Sequence, residues 1–135
     1  MALGSIGDGD FLMANTAVWT AAHYGLGMLL AVCNNHSFCN DELHQERVAK
    51  ERTRPVENKW IGQRMSEPVI DIAQMAGSMG AEAVGPVTRA QDLGPAIARG
   101  LAAAREGKVF VIDARVAPGY DANMSGAPAP SLHKR

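Results

Sequence analysis

Two short stretches carry residues that can do chemistry. They are Gly7-Asp8-Gly9-Asp10-Phe11 and Asn34-Asn35-His36-Ser37-Phe38. Asn35 stands 27 positions after Asp8 (35 − 8 = 27). The interval reads as one helix followed by one strand. A helix running out and a parallel strand running back bring both stretches to one edge of a sheet. In open α/β sheets that edge binds ligands. A hard cation such as Mg²⁺ takes about six oxygen ligands, usually with one or two carboxylates and the rest from phosphate and water. Asp8 offers the carboxylate, Asn35 a neutral oxygen and Ser37 a backbone carbonyl. A single negative charge suits a metal that also holds a diphosphate. Gly9 lacks a Cβ, so phosphate oxygens can approach its N–H closely. The helix that follows aims its free N–H groups at the same place.

Other readings of these residues are poorer. Gly-Asp-Gly alone and Asn-Asn alone are ordinary turn signals. An EF-hand built on Asp8 and Asp10 fails, because Phe11 and Leu12 stand where further ligands belong. A dinucleotide fingerprint fails too, since no third glycine follows Gly7 and Gly9 at the required position.

The combination of Gly-Asp-Gly, this interval and Asn-Asn resembles the thiamine diphosphate (ThDP) motif of the acetolactate synthase and pyruvate decarboxylase superfamily. The likeness runs from about Ile6 to about Tyr120 and is to the diphosphate-binding (PP) domain. The resemblance implies that Asp8 and Asn35 are side-chain ligands of Mg²⁺ and that Ser37 is the carbonyl ligand. Gly7, Gly9, Asp10, Asn35, Ser37 and Phe38 would line the cofactor diphosphate. Relatives often carry Ser or Ala in place of Asp10, so its backbone N–H is expected to serve while the side chain turns away. The carbonyl position, often Gly, is Ser37, and any residue can supply a carbonyl. The resemblance further implies a 2-oxo acid substrate, decarboxylated or joined to a second carbonyl compound. It places the activating glutamate on a separate pyrimidine-binding (Pyr) domain. No stretch of this sequence reads as that domain, so no catalytic residue is assigned within the chain, which is expected to be inactive alone.

Composition bounds the rest. The chain has 135 residues, of which 47% are hydrophobic and 20% charged, an ordinary globular mix with room for one core. Lys+Arg is 13 against Asp+Glu 14. That balance gives no reason to expect nucleic acid or an anionic membrane as partner. Cys33 and Cys39 make no C-x-x-C pair and no disulfide framework, which suits a reducing cytoplasm. Cys33, closing an apolar run, reads as a small core residue. The first six residues have no basic region, so they are no signal peptide. The apolar stretch from Ala17 to Cys33 is interrupted and shorter than a bilayer span of about 20 residues.

In chain order, residues 2–6 read as the end of a strand. Residues 13–24 read as a helix, with Met13, Ala17, Trp19 and Tyr24 at helical spacing. The run from Met28 to Cys33 is a strand covered on both faces. A helix runs from a cap at Asn40 to about Arg52, through Leu43 and Val48. Its glutamates Glu42, Glu46 and Glu51 read as a solvated face. Residues 53–67 form a long loop, with Trp60 and Ile61 as anchors or substrate wall. Pro68 opens a helix carrying Val69, Ile70, Ala73, Ala76 and Met79. Residues 83–87 are a strand. Thr88 and Gln91 make a capping box for a helix with Leu93, Ile97, Leu101 and Ala104 inward. Residues 108–113 are the last strand. His44 reads as polar surface. His36 and His44, eight positions apart, fit no common zinc pattern, and His36, beside a candidate ligand, reads as a support for it. The tail 117–135 is expected to be disordered.

Alternating strands and helices predict an α/β domain over residues 1–116, an open parallel sheet with helices on both faces. An uncovered sheet edge would need a partner: a Pyr-domain chain, a preceding segment or further copies, giving a homo- or hetero-oligomer. Two functions follow. One is the ThDP- and Mg²⁺-binding part of an acetolactate synthase-like 2-oxo acid decarboxylase or carboligase. The other is a non-catalytic PP-fold module acting in oligomerisation or regulation.

Overall fold

A computed structural model describes residues 1–117. The predicted tail beyond them lies outside the described residues. Four strands form one sheet: β1 (Ala2–Gly7), β2 (Met28–Asn34), β3 (Glu82–Val87) and β4 (Val109–Arg115). Their order is β1-β2-β4-β3, and every pairing is parallel. Between them run α1 (Asp8–Ala14), α2 (Thr16–His23), α3 (Cys39–Glu51), α4 (Ile72–Ser78) and α5 (Ala90–Arg105). Among the described residues, no helix is long and apolar enough to cross a membrane.

The last strand is the centre of the molecule because its side chains are apolar on both faces. Val109, Phe110, Val111 and Ile112 are all buried. Alternation sends Val109 and Val111 to one face and Phe110 and Ile112 to the other. On the first face they meet Phe11, Val18 and Ala21 of α1 and α2 and Ile72 and Ala76 of α4. On the second they meet Ala96, Ala103 and Ala104 of α5. Helices therefore cover both faces, as the alternating pattern predicts.

Several local expectations are corrected. The first helix begins on Asp8 itself and breaks at Asn15. The Asn15 amide donates to the Leu12 carbonyl at 3.3 Å, a local bond that competes with a continuous helix. Met13, Trp19 and Tyr24 are exposed, and Phe11, Val18 and Ala21 make the inward face. Helix α5 is capped by backbone at Arg89, without the Thr88–Gln91 box, and Arg89 pairs with Asp92. It packs through small residues. A Cβ on Gly100 would lie 2.4 Å from Leu29 Cδ1, so the helix sits close to the sheet and Ile97 is pushed outward. Helix α4 starts at Ile72 rather than Pro68, because Asp71 accepts from the Gln74 N–H at 2.7 Å as its cap. Val69 stays exposed.

Cys33 is exposed rather than buried, within 3.6 Å of Ser5 Oγ. The reason is position: β1 is an edge strand, and Ala2 to Ser5 are exposed along it. Helix α3 contributes nothing to either core cluster. It starts after Phe38, whose carbonyl accepts from Asp41 and Glu42 N–H, so Asn40 is not its cap. Leu43 is exposed and Glu42 is buried, the reverse of the sequence reading. Residues 53–67 do form the long irregular connection that their composition predicts.

Candidate functional site at the carboxyl edge of the sheet

Parallel pairing sets Gly7 opposite Cys33 at the carboxyl ends of β1 and β2. The chain leaves β1 into Asp8 and leaves β2 into Asn35, so the two motifs meet there. A cleft of about 310 Å³ lies between them. Gly7, Asp8, Gly9, Asp10, Asn35, Ser37 and Phe38 all line it, along with Cys39, Asn40 and Asp41 from the start of α3. Every site residue singled out in the sequence is thus on one wall or another of one cleft.

Each is fixed by an identifiable contact. Asp8 is 3% exposed; its Oδ1 accepts from the Gly9 N–H at 3.1 Å, and its Oδ2 is buried without a partner. Gly9 is required by packing: a Cβ there would stand 2.3 Å from Phe38 Cε1. The space beside Gly9 is thus filled by the Phe38 ring, and its N–H is engaged by the neighbouring carboxylate. Asp10 is exposed, with Oδ2 folded back over Gly7. Asn35 Oδ1 accepts from the Ser37 N–H at 2.9 Å, a side-chain turn that holds the loop after β2.

Ser37 forms an isolated antiparallel bridge with Arg64. The flanking bonds run from the Phe38 N–H to the Gln63 carbonyl and from the Met65 N–H to the His36 carbonyl. In such a pair the central residue's own N–H and C=O point away from the partner strand. The Ser37 hydroxyl donates to the Glu42 carboxylate, which also meets Arg64 Nε at 3.4 Å. Glu42 and Arg64 are supporting residues that the sequence reading missed. Their separation of 22 positions crosses the irregular connection, so no periodicity signals the pair.

Asn34 was missed too. It is 1% exposed, and its Nδ2 donates to Asp113 Oδ1 at 2.9 Å. Its Oδ1 accepts from the His36 N–H at 3.2 Å and from Arg115 at 3.4 Å. The first asparagine is therefore the anchor of the loop, and the second faces the cleft.

The charge of the cleft is one-sided. Asp8, Asp10 and Asp41 line it, and no Lys, Arg or His does among the described residues. A bare anion would be repelled. Among the described residues, no three His, Cys, Asp or Glu side chains gather as a metal set. A cation here must then take mixed oxygen ligands: carboxylate, carboxamide, carbonyl and whatever the bound molecule brings. The donors fit that demand. Asp8 Oδ1 and Asn35 Oδ1 each accept one backbone N–H and keep a second lone pair, and the Ser37 carbonyl is turned from its bridge partner.

An open parallel sheet with a cleft where the first two strands end defines a ligand-binding α/β domain. Residues 2–114 match the family model described as "Thiamine pyrophosphate enzyme, C-terminal TPP binding domain". The chain belongs to that family, thiamine pyrophosphate being another name for ThDP. No curated protein matches the sequence. Among solved structures, it is similar to the Rhodococcus jostii RHA1 thiamine diphosphate-dependent 4-hydroxybenzoylformate decarboxylase, at 24% identity with a TM-score of 0.65. That likeness shows the fold, and covers 88% of this chain. The chain spans only 20% of that structure's length.

Proposed function

We propose that this domain holds the diphosphate of thiamine diphosphate through Mg²⁺, with Asp8, Asn35 and the Ser37 carbonyl as its protein ligands. The observation that carries this is the cleft's charge. Among the described residues, three carboxylates and no basic side chain line it, so a diphosphate is accepted only with a divalent cation between. Of the three carboxylates lining the cleft, Asp8 is the buried one. Gly7, Gly9 and Asp10 supply the turn against which the phosphates lie, and Phe38 walls it.

Bound there, ThDP supplies the carbanion chemistry by which 2-oxo acids are decarboxylated or joined to a second carbonyl compound. This chain's residues bind and orient. Asn34, anchored on Asp113, sets the loop; Asn35 and Ser37 present oxygens; Glu42 and Arg64 hold Ser37 in place. The activating glutamate and the pyrimidine pocket come from a Pyr domain outside this chain. The whole is an acetolactate synthase-like decarboxylase or carboligase, assembled from two domains or two chains.

Calorimetry tests the reading. ThDP is expected to bind the full chain only with Mg²⁺ present. Asp8→Ala is expected to weaken Mg²⁺-dependent binding by more than the roughly 10–100-fold that a merely supporting partner is worth. Equal ThDP binding in excess chelator, or an unaffected Asp8→Ala, would sink the assignment.

A further inference from the structure

His36 sits between the two residues proposed as ligands from its loop, yet its side chain does not line the cleft. Its backbone is in the left-handed region at φ 62, uncommon for a residue other than glycine although His, like Asn and Asp, adopts it more often than most. That conformation is held from both sides: its N–H donates to Asn34 Oδ1 and its carbonyl accepts from Met65 N–H. The result sends the imidazole inward. Nε2 is buried and has no partner in the protein. A strained backbone that delivers an unpaired buried nitrogen calls for a reason.

The reason lies across a small cavity of about 10 Å³. His36, Asp8 and Asn34 line it, with Leu12, Met65, Ile70 and Ile72 as apolar walls; the Asn34 side chain is already bonded to Asp113, Arg115 and the His36 N–H. The other buried side-chain atom without a partner among the described residues is Asp8 Oδ2. The two residues that carry these unpartnered atoms thus line the same space. Its volume is about that of one water, and a buried water is stable when it has polar partners on two or more sides.

We propose that His36 is a positioning residue for Asp8, acting through a single buried water. Nε2–H donates to the water, and the water donates to Asp8 Oδ2. No proton changes owner. The link fixes the plane of the carboxylate, as partners behind metal-binding carboxylates commonly do. Its bearing on the metal rests on the ligand assignment proposed above; the bridge itself does not.

The test uses the full chain. In metal-free protein in mildly alkaline buffer, long-range proton–nitrogen correlation spectra are expected to show His36 as a single Nε2–H tautomer. Its Nε2 resonance shifts on Asp8→Ala, while those of exposed His44 and of His23 do not. A second variant, His36→Asn, tolerates the left-handed backbone. It is expected to lower Mg²⁺ affinity in the presence of ThDP by about 10-fold, whereas His44→Asn leaves it unchanged. A His36 tautomer mixture like that of His44, or a resonance indifferent to Asp8→Ala, overturns the bridge. Unchanged Mg²⁺ affinity in His36→Asn overturns the positioning role. If Asp8→Ala itself leaves Mg²⁺ binding intact, the ligand assignment fails instead, and the metal-free spectra still decide the bridge.

Discussion

Gly9 and Asp113 show how single residues build the cleft, one by packing and one by a hydrogen bond. Gly9 has the Phe38 ring 2.3 Å from where a Cβ would stand. Gly9→Ala therefore forces the ring aside or lifts the start of α1. Overpacking of this kind costs about 1–3 kcal/mol. Urea unfolding is expected to show that loss, and Phe38→Ala added to Gly9→Ala is expected to recover part of it. Failure of the double variant to recover would place the strain elsewhere. Asp113→Ala leaves the buried Asn34 amide without its acceptor, a loss of about 1–3 kcal/mol. The same variant is expected to loosen Asn35 and Ser37, because Asn34 ties their loop to β4. Asp8, Asn35 and Ser37 were legible in the sequence because their chemistry lies within two short motifs. Asn34 and Asp113 were not: they are 79 positions apart, and only the β2–β4 register brings them together.

At the scale of elements, the sheet was readable and the helix faces only in part: Leu93, Leu101 and Ala104 of α5 and Ala76 of α4 do pack inward. Apolar runs at Met28 and Lys108 announce central strands directly. A helix face depends on how closely the helix approaches the sheet. In α5, Gly100 lets the backbone come near, so small residues face inward and Ile97 does not. Helix α3 escaped the reading for another reason. It does not pack on the sheet cores, so apolar spacing carries no information about its buried side. Polar contacts hold it instead. Glu42 grips Ser37 and Arg64, and Glu46 pairs with Lys50 and Lys59. Hydrogen bonding to Lys50 first, and then to Lys59, holds the Glu46 carboxyl down at about 2. A lowered carboxyl favours the folded loop above its ordinary value of 4.5 and loses that hold as pH falls toward 2. Trp60 fluorescence anisotropy, read in a Trp19→Phe background, is expected to report a loosening of residues 53–64 across that window. Glu46→Gln is expected to be loose already at neutral pH and to lack that component of the transition. Superimposable pH curves for the two proteins would contradict the strap.

At the scale of the whole molecule, one edge of the sheet is open. Leu3 on β1 is 61% exposed, and Trp19, Tyr24 and Leu26 are exposed as well. An edge strand with free backbone groups and an exposed apolar side chain is a pairing template. Sedimentation is expected to show concentration-dependent association of the chain, reduced by Leu3→Lys; a strictly monomeric wild type would contradict it. The central claim is about an ion, and Mn²⁺ reports on Mg²⁺ sites directly. Crystals grown with ThDP and Mn²⁺ are expected to give one anomalous peak about 2.0–2.2 Å from Asp8, Asn35 and the Ser37 carbonyl together. A peak at Asp10 or Asp41 instead, or a diphosphate seated in the cleft with no metal beside it, would contradict the account.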